Sequence, residues 1–161
     1  MSTAKKVTLV TADKVEFEVD EAVAMRFGIV KSFLEENPEK IPLPNVNSSV
    51  LSLIIDYCKA HVEFASSENK ADEKAKEFDE NFVKAQGNET LVAMCMAVNY
   101  LEEKELLNMV LDAIANKIKN KSVEFVRKYF GIKNDFPPEE EEALRRENHW
   151  AFQDVDVDDN E

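Results

Sequence analysis

Residues 90–101 predict a helix that is apolar around almost its whole circumference, and this feature narrows the possible folds more than any other. Its apolar side chains fall on several faces of a helix with 3.6 residues per turn and include Leu91, Val92, Met94, Cys95, Met96 and Val98. A helix without a broad polar face must be covered on most sides, so we expect it at the centre of the core. Residues 104–119 follow with the clearest helical period in the chain and are expected to pack against that core.

The N-terminal part of the chain alternates between strand and helix patterns. Residues 7–19 show period-two alternation on either side of a turn, which predicts a β-hairpin. Pro42 and Pro44 exclude a helix from residues 41–47, so that segment is predicted to be extended. Helices are expected at residues 22–25, at residues 29–36 and from Asn47 or Ser48 onward. The sequence therefore predicts an α/β fold that is mostly helical, with one small sheet near the N-terminus.

Residues 64–80 differ in composition from the segments on either side. They are rich in acidic residues and lysine, include Ser66 and Ser67, and contain few large apolar side chains. Such a segment cannot bury enough apolar surface to offset the entropy of ordering it. We therefore predict a flexible acidic linker here.

The C-terminal part combines strong helix signals with apolar side chains that need a cover. Ser122 and Gly131 are expected to begin and end a short helix, and a second helix is expected to start after Pro137 in a run of glutamates. Apolar side chains around that second helix must be buried against preceding segments or a partner: Phe136, Leu144, Trp150 and Phe152. They form either ordinary core or a hydrophobic groove for a partner helix, and the amount of apolar surface favours the groove.

The composition argues against several classes of function. With 33 acidic and 20 basic residues, a net charge of −13 disfavours nucleic acid and anionic membranes as partners and favours a protein. The three glycines are isolated, which excludes a glycine-rich phosphate loop. Cys58 and Cys95 are expected to be reduced, buried thiols. His61 and His149 are expected at the surface, and the cysteines and histidines together do not have the spacing of a zinc site. No catalytic group, metal or cofactor is expected, and the protein is expected to be soluble and intracellular.

Several motifs resemble one known family. They are FEVDEAVA, IPLPNVNSSVL, DYCKAHVE, NYL and the long C-terminal run IKNDF-PEEEE-RRENHW, found at residues 17–24, 41–51, 56–63, 99–101 and 132–150. Together they resemble the S-phase-kinase-associated adaptor family, the small subunit of SCF ubiquitin ligases. The short linker and the ending ENHWAF are similar to plant members. The resemblance covers nearly the whole chain.

The resemblance implies a BTB/POZ-type core and a C-terminal helical extension. It divides the chain into a BTB/POZ-like part, an acidic flexible linker, further BTB/POZ helices, and an F-box-binding extension with an acidic tail, at residues 1–63, 64–80, 81–121 and 122–161. It also implies a non-enzymatic adaptor, located in the nucleus and cytoplasm, that bridges a cullin to F-box proteins so that substrates are ubiquitinated and degraded. A RING subunit would join indirectly, through the cullin.

The same resemblance assigns contact residues to two partners. Asn99 and Tyr100 match positions at the cullin contact. The F-box protein would be bound by Val126, Phe130, Ile132, Lys133, Asn134, Phe136, Asn148 and Trp150. No catalytic residue is implied, because the chemistry of the ligase belongs to other subunits.

Departures from the family pattern indicate a divergent member. Lys14 replaces the glycine of the hairpin turn, where a positive φ would cost about 1 kcal/mol. Glu103 replaces an apolar residue near the cullin contact, and Pro137 replaces a threonine helix cap, at a cost of roughly 0.5–2 kcal/mol unless Asp135 substitutes. Glu103, together with residues 85–89, which carry one residue more than the family pattern has there, leaves an alternative open: a BTB-like module that binds F-box proteins but has lost cullin binding.

Overall fold

The computed structural model describes residues 5–67 and 71–156, and the chain divides into two compact units. The first unit is Met1–Ala113 and the second is Ile114–Glu161. The four predicted segments stay predictions, and the division between the compact units falls upstream of the predicted boundary at residue 121. The predicted linker includes residues 68–70, and the predicted acidic tail includes residues 157–161. Both short segments lie outside the described residues.

A small sheet forms one side of the core of the first unit. Its strands are β1 (Lys6–Thr11), β2 (Glu16–Asp20) and β3 (Ile41–Leu43), in the order β2-β1-β3. β1 pairs antiparallel with β2 and parallel with β3. Alternate side chains of the strands are buried on one face, namely Val7, Leu9, Thr11, Val19, Ile41 and Leu43. The predicted hairpin is confirmed, and the predicted extended segment supplies the parallel edge strand.

Six helices begin among the described residues of the first unit. They are α1 (Glu21–Ala24), α2 (Gly28–Leu34), α3 (Ser48–Ser66), α4 (Ala71–Lys84), α5 (Asn88–Leu101) and α6 (Lys104–Ile118). α5 packs against α2 and α3 and buries Leu91, Met94, Ala97, Val98 and Leu101. The prediction that α5 is covered on most sides was wrong for one face, since Met96 is 73% exposed. Asn99, one turn further along α5, is exposed as well.

The predicted linker is largely helical, so that prediction was wrong. α3 continues to Ser66, and α4 covers most of the remainder. α4 buries no residue completely, but Phe78 and Phe82 pack with Tyr57 and His61 of α3 in one aromatic cluster. The composition did not indicate this arrangement, because only a few aromatic residues of α4 contact α3 and most of its other residues are polar.

His61 lies inside this aromatic cluster rather than at the surface, contrary to the prediction. Its side chain is only 13% exposed, and its Nε2 atom lies 2.6 Å from Oδ1 of Asp79 on α4. Its ring centroid is 4.3 Å from that of Tyr57. In the sequence, His61 lies on the same face of α3 as Tyr57 and Phe64, but its burial follows only from the packing of α4 against that face.

The hairpin turn keeps the strained conformation that the sequence suggested. Lys14 has a φ of 64°, in the left-handed region, and its N–H donates to the carbonyl of Thr11 at 3.0 Å. Asp13 accepts hydrogen bonds from the backbone N–H of Ser48 at 2.9 Å and from its hydroxyl. The first turn of α3 is therefore capped from the hairpin, while Asn47 makes no side-chain cap of its own.

The second unit contains the end of α6, then α7 (Val123–Phe130), α8 (Pro138–Glu147) and a short 3-10 helix (His149–Phe152). Ser122 caps α7 by accepting from the N–H of Phe125 at 3.1 Å. Gly131 ends α7 with a φ of 64°, as predicted. Pro137 occupies the cap position of α8 without a side-chain cap, and Asp135 does not substitute for the missing threonine. None of the described helices is long and apolar enough to cross a bilayer.

Candidate partner-binding surfaces

Five large apolar side chains are exposed among the described residues of the second unit. The exposed fractions are 38% for Phe130, 57% for Ile132, 46% for Phe136, 39% for Leu144 and 76% for Trp150. Neither α7 nor α8 buries any residue completely. So much apolar surface on a small unit is typical of a protein–protein interaction site. We call the apolar side chains of residues 123–152 the C-terminal apolar surface.

Local hydrogen bonds fix the loop between α7 and α8 that carries part of this surface. The N–H of Ile132 donates to the carbonyl of Arg127 at 2.8 Å, directly after the left-handed residue that ends α7. Asn134 then accepts from the N–H of Phe136 at 3.2 Å and donates to Glu141 of α8 at 3.1 Å. The loop thus presents Ile132 and Phe136 to solvent from a backbone that is already ordered.

Phe136 lies at the edge of a small apolar pocket. The pocket has a volume of about 190 Å³ and is lined by Val123, Arg127, Phe136, Glu141, Leu144, Arg145 and Phe152. This space is suited to one aliphatic or aromatic side chain rather than to a whole ligand, because small-molecule sites usually enclose about 300–1,000 Å³. The pocket therefore fits an anchor residue of a protein partner.

Charged side chains surround the pocket and hold α7 to α8. Glu141 accepts from Arg127 at 3.3 Å and from Arg145 at 3.4 Å, and Arg145 also pairs with Glu124. The hydrogen bond from Asn134, followed by that from Arg127, lowers the pKa of the Glu141 carboxyl. Glu141 and Arg145 are four residues apart on α8, a spacing that brings side chains together on one helix face. This network orients the pocket walls, while each exposed pair contributes only about 0–1 kcal/mol.

The structure brings some of the predicted F-box contacts together and leaves others apart. Of the eight predicted residues, only Phe136 lines the pocket. Val126 is half-buried, Lys133 is exposed, and Asn148 donates its side-chain amide to the carbonyl of Leu144 at 2.9 Å. The remaining pocket residues were not assigned to the contact, because the residues that meet across a helix pair depend on tertiary packing. Leu144 and Phe152 could be recognised from sequence only as apolar residues that need a cover.

A second exposed face lies on α5 in the first unit. Asn99 is exposed and Tyr100 is half-buried, both in the last turn of the helix. Met96 lies one turn earlier, and its helical spacing places it on the same face. The predicted cullin contact is therefore accessible to a partner. Met96 was missed because its apolar neighbours in the sequence made it look like a core residue.

Glu103, the departure predicted near this contact, is not part of the surface. The residue is only 4% exposed. Its carboxylate accepts from the N–H of Leu106 at 2.6 Å and from Nη2 of Arg26 at 3.1 Å. The charge is therefore turned inward, where it caps α6 and pairs with an arginine.

The two cysteines lie in different helices, Cys58 in α3 and Cys95 in α5. Cys58 is buried, and desolvation together with the nearby Glu103 raises the pKa of its thiol to about 12. Cys95 is only half-buried, so its predicted full burial was wrong, although burial still raises the pKa of its thiol. Within residues 5–67 and 71–156, no group of three His, Cys, Asp or Glu side chains could hold a metal ion.

The fold and the two surfaces define a class of protein, a POZ-type interaction domain followed by a helical unit with an exposed apolar surface. The chain belongs to the Skp1 family. Residues 5–63 match the model of the Skp1 family tetramerisation domain, and residues 104–151 match that of the Skp1 family dimerisation domain. The BTB/POZ-type fold and the family predicted from the sequence motifs are confirmed.

Similar proteins span almost the whole chain. SKP1-like protein 1A of Arabidopsis thaliana is 43% identical over 159 residues, which cover 93% of this chain and 99% of the relative. SKP1-like protein 1 of Oryza sativa is 43% identical over 167 residues, covering 92% and 96%. The E3 ubiquitin ligase complex SCF subunit sconC of Talaromyces marneffei is 41% identical over 155 residues, covering 91% and 96%.

Proposed function

We propose that this chain is a non-catalytic adaptor subunit of an SCF E3 ubiquitin ligase and bridges a cullin scaffold to F-box substrate receptors. Membership of the Skp1 family supports this role, since relatives from two Talaromyces species are named as SCF subunits. Such an adaptor brings a substrate receptor to the ligase, which ubiquitinates the substrate for degradation. It needs binding surfaces rather than reacting groups, and a RING subunit would join through the cullin.

The C-terminal apolar surface is the observation that carries the F-box part of the proposal. Its exposed aromatic and aliphatic side chains surround a pocket sized for one anchor residue. An amphipathic helix that places apolar residues at i, i+3 or i+4 and i+7 would cover such a surface. We propose that the F-box supplies this helix, with Ile132, Phe136 and Trp150 as the main contacts.

The face of α5 around Asn99 and Tyr100 is the proposed cullin contact. Asn99 is exposed and Tyr100 is half-buried on this face. The carboxylate of Glu103 points inward to Arg26, so Glu103 adds no charge to the face. This removes one of the reasons for the alternative function, in which cullin binding is lost. The altered segment at residues 85–89 remains a reason to test it.

Binding measurements with the purified full chain test both contacts. The chain should bind an isolated F-box domain and the N-terminal region of a cullin, each measured by isothermal titration calorimetry. All three should then elute as one complex from a size-exclusion column. Absence of F-box binding at micromolar concentrations would contradict the proposal. Binding of the F-box domain without the cullin would favour the alternative module.

We further propose that the protein occurs in both the nucleus and the cytoplasm. This part of the proposal rests on the family resemblance. A fluorescent fusion of the full chain, imaged in living cells, should give signal in both compartments. Signal confined to only one of these two compartments, or to another organelle, would contradict it.

A further inference from the structure

The junction between α5 and α6 is joined to the corner between α1 and α2 inside the first unit. Glu102 ends α5 in the left-handed region, with a φ of 60°. Its N–H donates to the carbonyl of Asn99 at 3.3 Å, and its own carbonyl accepts from the N–H of Gly28 at 3.4 Å. Two hydrogen bonds, both made by the backbone of Glu102, therefore connect Asn99 of the predicted cullin contact to Gly28 at the start of α2.

A partly buried charge pair joins the same two corners, with the Arg26 side chain 20% exposed. Nη2 of Arg26 lies 3.1 Å from Oε1 of Glu103, whose side chain is 5% exposed, and 2.8 Å from Oε2 of Glu105, whose side chain is 71% exposed. The Glu103 carboxylate also accepts the N–H of Leu106 in the first turn of α6. Removal of one partner from a buried pair leaves an uncompensated charge, which costs far more than loss of an exposed pair. Glu103 thus depends on Arg26, whereas Glu105 does not.

Gly28 allows the close approach of the two corners. A Cβ atom at this position would lie 2.7 Å from Oε2, 2.9 Å from Cβ and 3.2 Å from the carbonyl oxygen of Glu102. The carboxylate end can rotate away, but the Cβ and carbonyl atoms move only with the backbone. Any larger residue at this position would therefore displace the end of α5.

We infer that Arg26, Gly28 and Glu103 are positioning residues that hold the last turn of α5, and with it Asn99 and Tyr100, in the conformation that binds cullin. This inference rests on the proposed cullin contact. Glu103 acts from inside the fold, since its carboxylate is buried and fully engaged. Arg26 compensates for the charge that this chain places at a position where the family resemblance leads us to expect an apolar residue. The substitution at residue 103 is thereby compatible with an intact cullin face.

Paired affinity measurements test the positioning role. Arg26→Ala and Glu103→Gln, made separately in the full chain, should each raise the Kd for the cullin N-terminal region by about 10-fold or more, because the last turn of α5 becomes less ordered. The Kd for an F-box domain should change by less than about 2-fold. Glu105→Gln is the matched control, since it removes an exposed partner of the same arginine, and it should change neither affinity by more than about 2-fold.

Two further variants separate positioning from general destabilisation. Gly28→Ala keeps every charge and should still weaken cullin binding, while Arg26→Lys should restore part of the affinity lost in Arg26→Ala. In the weakened variants, hydrogen exchange at the amides of Glu102 and Leu106 should be faster, because both donate to the junction.

Unchanged cullin affinity in Arg26→Ala and Glu103→Gln would overturn the inference, as would an equal loss of affinity for both partners. Failure of the unaltered chain to bind cullin would be a different result. It would overturn the proposed cullin contact, and the inference with it. A normal Kd in the unaltered chain together with unaffected variants overturns the positioning role alone.

Discussion

The two units of this protein use similar amphipathic helices in opposite ways. The fully buried apolar side chains of the described residues all belong to the first unit, apart from Ile114. The helices that follow in the second unit bury no residue completely and expose Ile132, Phe136 and Trp150. The first unit covers most of its apolar side chains, whereas the second unit leaves several of its apolar side chains exposed. An apolar helical face in a sequence therefore does not reveal what covers it.

The interactions that stabilise each unit internally also differ. The first unit relies on burial of apolar side chains, which contributes about 1.5–3 kcal/mol for each fully buried Leu, Ile or Phe side chain. In the second unit, polar contacts between α7 and α8 include the pairs of Arg127 with Glu141 and of Arg145 with Glu124, and Asn134 of the connecting loop also donates to Glu141. These interactions orient side chains but stabilise weakly. Substitutions of buried apolar residues in the first unit should therefore lower stability, and substitutions of exposed apolar residues in the second unit should weaken F-box binding.

The largest expected effect on stability is in the first unit. Leu51 of α3 is completely buried, so Leu51→Ala should lower the free energy of unfolding by about 2–5 kcal/mol, through lost apolar burial and a residual cavity. Urea denaturation followed by circular dichroism measures this change. Met96→Ala is the control within the same unit and should stay within about 0.5 kcal/mol, because Met96 is 73% exposed. Equal effects of the two substitutions would contradict the comparison.

The largest expected effect on binding is in the second unit. Trp150 is 76% exposed, so Trp150→Ala should change the free energy of unfolding by no more than about 0.5 kcal/mol. It should weaken F-box binding by roughly 2 kcal/mol, or about 30-fold in Kd, as expected for an aromatic hot spot. Calorimetric titration measures the affinity, with Val15→Ala, at an exposed apolar residue of the first unit, as the control. An unchanged Kd would show that Trp150 does not contact the F-box.

A smaller gain in stability is expected at the hairpin turn. Lys14 has a φ of 64°, so Lys14→Gly should raise the free energy of unfolding by up to about 1 kcal/mol, because glycine adopts this conformation without strain. Lys31→Gly, at an exposed position inside α2, should instead lower it by about 1 kcal/mol. Thermal unfolding of both variants measures the contrast. A loss of stability in Lys14→Gly would indicate that the lysine side chain contributes more than its backbone costs.

The smallest expected effect is a pH dependence at Asp13. Hydrogen bonds from the hydroxyl of Ser48 and from Thr11 lower the pKa of the Asp13 carboxyl from 3.8 to about 2. Because the folded pKa lies below the unfolded one, the contribution to stability is present above pH 3.8 and is lost as the pH falls towards about 2. The stability difference between the unaltered chain and Asp13→Asn should shrink over that range in urea titrations. A difference that does not vary with pH would contradict this assignment.

Local signals in the sequence predicted much of the fold. The hairpin, the cap at Ser122 and the left-handed stop at Gly131 are all present, because each depends on residues only a few positions apart. The helix of residues 71–84 was missed, since its contact with α3 depends on a few aromatic side chains among many charged ones. Met96 was assigned to the core because its neighbours in the sequence are apolar, and composition alone does not show which face of a helix is covered.

The candidate surfaces were predicted less completely than the fold. The motifs at residues 99–101 and 132–150 indicated where partners would bind, but only Phe136 among the predicted F-box contacts lines the pocket. The other pocket residues come from α7, α8 and the 3-10 helix, which meet only after packing. The compensation of Glu103 by Arg26 joins residues that are 77 positions apart, and no local pattern connects them.

The sequence by itself determined the helices and strands whose start, stop and period are written in neighbouring residues, and its motifs identified the family. Only the tertiary structure decided which apolar faces are covered, where α4 packs, and that Glu103 faces inward to Arg26. The physical reason is the range of the interactions. Caps, turns and helical periods act within a few residues, whereas burial and charge pairing depend on which distant segments meet.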